Sequence, residues 1–196
     1  MKKIILSVLA LGAFTFSNAQ TREKGAIELT PQIGYSSSNY YSGDAGTLNE
    51  PISGVAFGVT GDYFFNNRWS LRSGLLFQTM GTTSDVIDTE EKLNYITFPI
   101  NANWHFGSTR KWNLNFGPSI GFLTAAKSDG VDIKDGVVST QVGLNVGIGY
   151  KIEVSPKLSI LIDYQSMAGL TDIIKGSEFS TKNNYGAFNL GLVCKL

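Results

Sequence analysis

Few side chains in this sequence of 196 residues are placed to do chemistry. Residues 117–121 read Gly-Pro-Ser-Ile-Gly and match the Gly-x-Ser-x-Gly pattern around the serine nucleophile of many hydrolases. That serine works on a sharp strand-to-helix turn with a histidine and a carboxylate in reach, whereas Ser119 lies within a continuous predicted strand. If the only histidine, His105, faces Asn113 across a tight turn, Ser119 is ~20 Å away at ~3.3 Å per residue, too far for proton transfer. We therefore expect no catalytic residue.

Metal and cofactor sites have equally little support in the sequence. One histidine and one cysteine, Cys194, cannot supply the clustered ligands of a zinc or iron–sulfur site. Asp129, Asp132 and Asp135 share a polar segment, but their spacing is not that of a calcium-binding loop. The spacing therefore favours a solvated loop over a calcium site. The glycines within 143–149 do not open a helix, so a phosphate-binding role is not expected. We expect neither a metal ion nor a cofactor.

Composition narrows the function classes. The chain has 16 Lys+Arg and 16 Asp+Glu, and its charged fraction of 16% is below the roughly 25% usual for soluble domains. It also has 22 Gly, 12 Phe, 8 Tyr and 3 Trp. Because the net charge is zero and no basic block is present, nucleic acid is not an expected partner.

The N-terminus has the pattern of an export signal. Lys2 and Lys3 precede an apolar run at residues 4–16, and residues 17–19 (Ser-Asn-Ala) supply the small side chains that a signal peptidase recognises. The run is too short to cross a membrane as a helix, which takes ~20 apolar residues. We predict a cleaved signal peptide at residues 1–19 and one mature domain at residues 20–196.

From residue 25 onward, apolar and polar side chains alternate with the period of a β-strand. In one segment Phe98, Ile100 and Trp104 lie on one face, with Thr97 and Asn103 on the other. The same phase holds in eight segments. Long polar connections alternate with tight turns: the former at 37–52, 82–92, 126–137 and 171–183, the latter at 66–68, 107–110 and 154–157. This pattern predicts an up-and-down meander whose first and last strands pair, with the tight turns and both termini on the periplasmic side.

The two faces of the strands distinguish a barrel in lipid from one in water. A soluble, lipocalin-like ligand-binding barrel would point its apolar face inward and carry many Lys and Glu outside. Here the polar face is mostly Gly, Ser, Thr, Asn and Gln, which suits a narrow, hydrogen-bonded interior. Aromatic residues beside the tight turns form a predicted girdle: Phe65, Trp69, Trp104, Phe106, Trp112 and Tyr150. The sequence predicts an all-β, eight-stranded antiparallel up-and-down transmembrane β-barrel in contact with the outer-membrane lipid of a Gram-negative bacterium.

Charged side chains on the polar face gather toward the tight turns. If the hairpin at residues 66–67 pairs Phe64 with Ser70, Asp62 lies opposite Arg72. Buried charges must be paired and hydrogen-bonded, so we predict a structural network that closes the periplasmic half of the interior. The predicted network consists of Glu28, Asp62, Arg72, Lys151, Glu153, Asp163 and Lys195.

The four long connections should face the outside of the cell. They carry 11 acids and 5 bases, whereas the bases near the tight turns and the mature N-terminus are Arg22, Lys24, Arg68, Arg110, Lys111 and Lys157. In the first long connection, Tyr40 and Tyr41 could contact a sugar or a protein. An extracellular partner bound through the loops is therefore an open expectation.

Several short segments resemble a known family. They are residues 95–100 (Tyr-Ile-Thr-Phe-Pro-Ile), 116–121 (Phe-Gly-Pro-Ser-Ile-Gly), 162–166 (Ile-Asp-Tyr-Gln-Ser) and 169–173 (Gly-Leu-Thr-Asp-Ile). Together they are similar to the PorT-like, porin-family small outer-membrane β-barrel proteins. The resemblance implies an exported eight-stranded barrel without catalytic residues. Such barrels are placed by a barrel-insertion machinery that often reads an aromatic last residue, where this chain has Leu196.

Three functional hypotheses follow from these observations. The first is a non-enzymatic outer-membrane barrel with an envelope-structural or surface-interaction role, its loops carrying any partner specificity. The second is a narrow porin-like transport or secretion-linked component. The third is the exported soluble ligand-binding barrel.

Membrane partitioning separates the third hypothesis from the other two. Because a closed barrel with an apolar exterior stays in lipid, outer membranes washed with sodium carbonate should retain the protein. Recovery of the protein in the soluble periplasmic fraction would instead support a water-soluble barrel.

Overall fold

The described chain is built almost entirely of β-strands. The computed structural model describes residues 22–42, 50–84 and 89–196, and the predicted signal peptide at residues 1–19 lies outside them. The strands are β1 (Ile27–Ser42), β2 (Glu50–Phe64), β3 (Trp69–Ser84), β4 (Thr89–Phe106), β5 (Trp112–Ser128), β6 (Val131–Asp132), β7 (Thr140–Glu153), β8 (Leu158–Gly169) and β9 (Thr181–Lys195). One 3₁₀ helix spans Lys134–Gly136. In these ranges no helix has the length and apolar character needed to cross a membrane.

Eight of these strands close into a barrel. Strands β1 to β5 pair antiparallel in chain order, β5 also pairs with β7, and β8 and β9 follow, while the short β6 folds back on β5. The barrel closes where β9 pairs antiparallel with β1, from Glu28 with Lys195 to Ser42 with Thr181. This pairing matters because an unpaired backbone group in hydrocarbon costs several kcal/mol. The predicted eight-stranded up-and-down architecture is confirmed.

The apolar side of the strands faces outward. Phe57 and Leu75 are each 49% exposed, and Ile148 is 43% exposed. A soluble barrel built around a small apolar ligand would have brought these side chains to the axis, so that alternative is wrong. The outward-facing apolar side chains form a band that we call the apolar belt; it runs through residues 27–35, 55–65, 69–77, 96–106, 112–122, 142–152, 158–164 and 188–194.

The height of the apolar belt matches a bilayer. Strand β4 crosses the belt in ten residue-to-residue steps, from Ile96 to Phe106. That is ~33 Å along the strand and ~25 Å along the barrel axis at a ~40° tilt, which is the height of the apolar band of transmembrane barrels.

A row of neighbouring aromatic rings marks the turn end of the belt. Trp69 stacks on Trp104 with ring centroids 6.2 Å apart, and Trp104 stacks on Phe106 at 5.0 Å. The row continues from Phe106 to Trp112 at 6.2 Å and from Trp112 to Tyr150 at 4.8 Å. These residues come from β3, β4, β5 and β7, so the girdle predicted from sequence follows neighbouring strands around the barrel.

At the loop end the strands are longer than the sequence pattern predicts. They run for 12 to 18 residues, where ~10 were expected from the span of a tilted membrane strand. The predicted loops at 37–52 and 82–92 are therefore partly strand. Tyr40 and Tyr41, predicted in a loop, belong to β1: Tyr41 is exposed, but Tyr40 points inward and is 7% exposed.

The polarity of the two faces inverts above the belt. On β4 the outward residues change from Phe98 and Ile96 to Asn94 and Lys92, while the inward residues change to Tyr95 and Leu93. The loop-end third is thus polar outside and apolar inside, like a water-soluble protein. Its interior, the loop-end core, consists of Tyr40, Ala56, Met80, Leu93, Tyr95, Leu123, Ala126, Val137, Met167, Ile173, Tyr185 and Ala187.

The inversion predicts that an introduced arginine affects stability differently at two heights. Val146→Arg, within the belt, should destabilise folding into lipid vesicles by about 2–4 kcal/mol, because the charge enters hydrocarbon. Asn184→Arg, outward-facing above the belt, should change stability by less than about 0.5 kcal/mol. Urea titrations of the vesicle-inserted protein, followed by tryptophan fluorescence, measure both values. Equal losses at the two positions would contradict the assigned belt edge.

Candidate functional site: the closed lumen

Six charged side chains lie buried together in the lumen at the turn end. Five project inward from strands β1, β2, β3, β7 and β8, and the sixth comes from the segment that precedes β1. All six are buried, with residue exposures of 6% or less. We call this group the turn-end charge cluster; it consists of Arg22, Glu28, Asp62, Arg72, Lys151 and Asp163.

One half of the turn-end charge cluster is centred on Arg72. Asp62 is its register partner across β2 and β3, and the guanidinium donates to Asp62 Oδ2 from Nη2 at 3.1 Å and from Nε at 3.2 Å. Its Nη1 donates to Asp163 Oδ2 at 3.4 Å. Ser70 Oγ and Asn103 Nδ2 each donate to Asp62 Oδ1 at 2.8 Å. The acceptor oxygens of Asp62 are thus fully engaged.

The other half is centred on Glu28. Arg22 Nε donates to Glu28 Oε1 at 2.7 Å, and Lys151 Nζ donates to Glu28 Oε2. The Arg22 guanidinium also lies 4.8 Å from the ring centroid of Phe64, a cation–π distance. The Arg22 backbone N–H donates to Asn67 Oδ1 at 3.1 Å, which anchors the N-terminal segment at the mouth of the barrel.

The cluster is neutral as a whole. Three cations and three carboxylates alternate, so that Arg22 and Lys151 flank one carboxylate while Asp62 and Asp163 flank one guanidinium. Such charges are costly to bury singly, but each here has an opposite partner and further hydrogen bonds. Removing Arg72 leaves Asp62 and Asp163 buried without this cation.

Above the charges the lumen narrows to a small cavity. It has a volume of about 40 Å³, room for about one or two water molecules. Arg72, Asn101 and Asp163 line it on the turn side, and Met167 and Tyr185 of the loop-end core line it on the other. The cavity is therefore a gap between two packed layers.

Two connections cover the loop end and form what we call the lid, residues 129–139 and 170–180. They pair through a single bridge between Val137 and Ile174 and through the Val138 N–H, which donates to the Ile173 carbonyl at 2.8 Å. The Lys175 N–H donates to the carbonyl of Gly136 at 2.9 Å. Side chains of Val137 and Ile173 complete the loop-end core, so the lid closes this end of the lumen.

Comparison of the sequence with models of protein families identifies a family with this architecture. The model described as outer membrane protein beta-barrel domain matches residues 6–195, nearly the whole chain. This chain belongs to that family. It is an integral β-barrel protein of the outer membrane, and its apolar belt is the surface that meets lipid.

Solved structures show the same fold at low sequence identity. Neisserial surface protein A (NspA) is 17% identical, with 86% of this chain and 97% of that chain covered and a TM-score of 0.55. The outer membrane protein OprG from Pseudomonas aeruginosa is 12% identical, with 89% and 97% covered and a TM-score of 0.54. No curated protein matches the chain in sequence.

In this outer-membrane barrel, five of the seven predicted network residues lie in the turn-end charge cluster. The other two do not: Glu153 pairs at the rim with Lys111 at 3.4 Å, and Lys195 makes no ion pair with any residue in the described ranges. Sequence reasoning placed Arg22 and Lys111 outside the lumen, whereas both are buried. They lie outside the strands, so alternation could not reveal the direction of their side chains.

A serine and a histidine do meet in the outer-membrane barrel, but the serine is Ser70 and not Ser119 of the Gly-x-Ser-x-Gly segment. His105 Nε2 lies 3.0 Å from Ser70 Oγ, and Ser70 Oγ donates to Asp62 at 2.8 Å. Because the serine proton is directed to the carboxylate, the imidazole donates to the hydroxyl and does not act as its base. Ser119 instead contacts Asn145 at 3.3 Å.

Two aspartates of the connection that follows β5 accept hydrogen bonds from backbone N–H groups. Asp129 Oδ1 accepts from the Glu90 N–H and Asp132 Oδ1 from the Lys134 N–H, each at 2.8 Å. Among the described residues, no three histidine, cysteine or acidic side chains gather as metal ligands would. These carboxylates shape the connection, as side-chain-to-backbone hydrogen bonds do in many turns.

The pairing in the charge cluster predicts a large effect of one substitution. Arg72→Met should destabilise the folded barrel by about 3–5 kcal/mol, because Asp62 and Asp163 then lose their buried cation. Arg68→Met, at an exposed turn, is the matched control and should be nearly neutral. Thermal and urea unfolding in detergent measure both, and unchanged stability of Arg72→Met contradicts a structural role for the cluster.

Proposed function

We propose that this protein is a non-enzymatic scaffold of the outer membrane that presents its extracellular end to partners or to neighbouring envelope components. The observation that carries the proposal is that packed side chains close the lumen twice, with paired charges at the turn end and apolar residues beneath the lid. Eight strands leave an interior only wide enough for side chains. Neither closure leaves a route for a solute through a static barrel.

The extracellular end has the features of a contact surface. Strand β1 continues seven residues beyond Tyr35 at the belt edge, ~23 Å along the strand at ~3.3 Å per residue. On the lid, Phe179 is 72% exposed, Val131 66% and Ile174 46%. Large apolar side chains held above the belt and exposed to water favour a protein or envelope partner.

The same proposal covers the assembly of the protein. We infer that residues 1–19 direct export and are cleaved, that residues 20–196 form the mature barrel, and that the barrel-insertion machinery places it in the membrane. The short segments around residues 95–100 and 116–121 favour the PorT-like group within the family. The mature protein then carries Arg22 near its N-terminus, where the lumen binds it.

Conductance separates the scaffold from a narrow transporter. The purified protein, reconstituted in planar bilayers, should show no discrete channel openings, since both ends of the lumen are packed. The cavity of about 40 Å³ between the two packed layers is too small to form a channel. Reproducible unit openings in the native protein would overturn the scaffold and favour the transport alternative.

Capture experiments test the contact surface. Outer-membrane vesicles carrying Ile174→Ser and Phe179→Ser should capture fewer cell or envelope partners than the native protein, because the exposed apolar side chains of the lid are lost. Val154→Ser removes an equally exposed apolar side chain from a periplasmic turn and is the matched control. Equal capture by the native protein, the lid variant and the Val154→Ser control would argue against the lid as the contact surface.

A further inference from the structure

A second, distinct recess lies between the loop-end core and the lid. It has a volume of about 170 Å³, and its walls are mainly aliphatic, from Leu93, Ile133 and Val137. It reaches the surface at Gly136 and Ile174, both of which are exposed. The recess therefore opens at the extracellular end and is separate from the charged half of the lumen.

Two polar groups interrupt these apolar walls. Glu91 of β4 lines the recess and is half-buried, and Tyr40 of β1, which carries a hydroxyl group, lines the same recess. A carboxylate beside apolar walls loses part of its hydration, and a cationic donor restores those hydrogen bonds in a stronger, charge-assisted form. The walls thus suit a ligand with an apolar body and a positive end.

The described residues supply no cation to Glu91. Lys92 Nζ pairs with Glu90 at 2.6 Å, and the amino groups of Lys134 and Lys175 donate to backbone carbonyls. The hairpin loops joining β1 to β2 and β3 to β4 contain no Lys, Arg or His in their sequence. A cation at Glu91 would therefore be supplied by a ligand.

We propose that this recess binds an aliphatic primary ammonium group, with the carbon chain against the aliphatic walls and the nitrogen on Glu91 and Tyr40. Its volume of about 170 Å³ corresponds to roughly six groups of ~30 Å³, the size of a water molecule. A chain of about five carbons with a terminal ammonium fits this space. A free alkylamine and the lysine side chain of another molecule share this chemistry. The recess shares Ile174 with the contact surface proposed above, but Glu91→Gln leaves the exposed apolar side chains of that surface in place, so either proposal can fail while the other stands.

Methyl NMR of the full mature protein in lipid nanodiscs tests the site. Titration with n-pentylammonium should shift the methyl signals of Ile133, Val137 and Ile173 saturably, and n-pentanol and pentanoate should bind more weakly because they lack the cation. Glu91→Gln should weaken pentylammonium binding at least about tenfold, through loss of the charge-assisted hydrogen bond. Glu90→Gln is the matched control, since Glu90 is exposed and paired with Lys92, and it should bind like the native protein.

A second variant and a folding check keep the outcome decisive. Tyr40→Phe removes only the hydroxyl and should also weaken binding, and heat-modifiable gel migration confirms that each variant is a folded barrel. Absence of saturable shifts in the native protein, equal affinity in Glu91→Gln, or equally tight binding of n-pentanol overturns the site. Comparing Nα-acetyl-lysine amide with its Nε-acetylated form identifies the source: binding of the unblocked form supports a lysine side chain, and binding of pentylammonium alone supports a free amine.

Discussion

The backbone of a membrane-embedded strand has no water to bind, and this constraint shapes the whole molecule. Every N–H and C=O within the apolar belt has to find a neighbouring strand, so the sheet must close, and it closes where β9 meets β1. Closure with eight strands fixes a narrow interior. Inward side chains then have only one another as partners, which is why the charges of the lumen are paired and neutral overall.

The depth of the protein in the membrane is encoded by a change of polarity along single strands. On β4 the step from Ile96 outward to Tyr95 inward marks the place where the outside turns polar and the inside turns apolar. Below that level the protein is a lipid-soluble barrel with a hydrophilic interior. Above it, the same strands behave as a water-soluble barrel with a hydrophobic core, and the lid rests on that core. The same closed sheet thus contacts lipid along the belt and water above it.

Much of the barrel could be predicted because alternation is a local signal. The phase of each strand, the closure of the sheet and the register that places Asp62 opposite Arg72 all follow from period-two patterns and short turns. The same signal failed for Tyr40, because an apolar residue in a polar stretch fits either a loop or an inward position above the membrane. It was silent for Arg22 and Lys111, whose positions depend on how irregular segments fold over the mouth.

The N-terminal segment makes the ion pairs of the interior depend on a residue that lies outside the sheet. Arg22 comes from outside the sheet, yet its guanidinium completes the ion pairs of Glu28 and its backbone is bound by the turn at Asn67. If the first residues were held elsewhere, for example by a bulky fusion, Glu28 and Lys151 would remain buried at the turn end without the guanidinium of Arg22. Proteolytic trimming of a few terminal residues would likewise loosen an interior that no protease can reach.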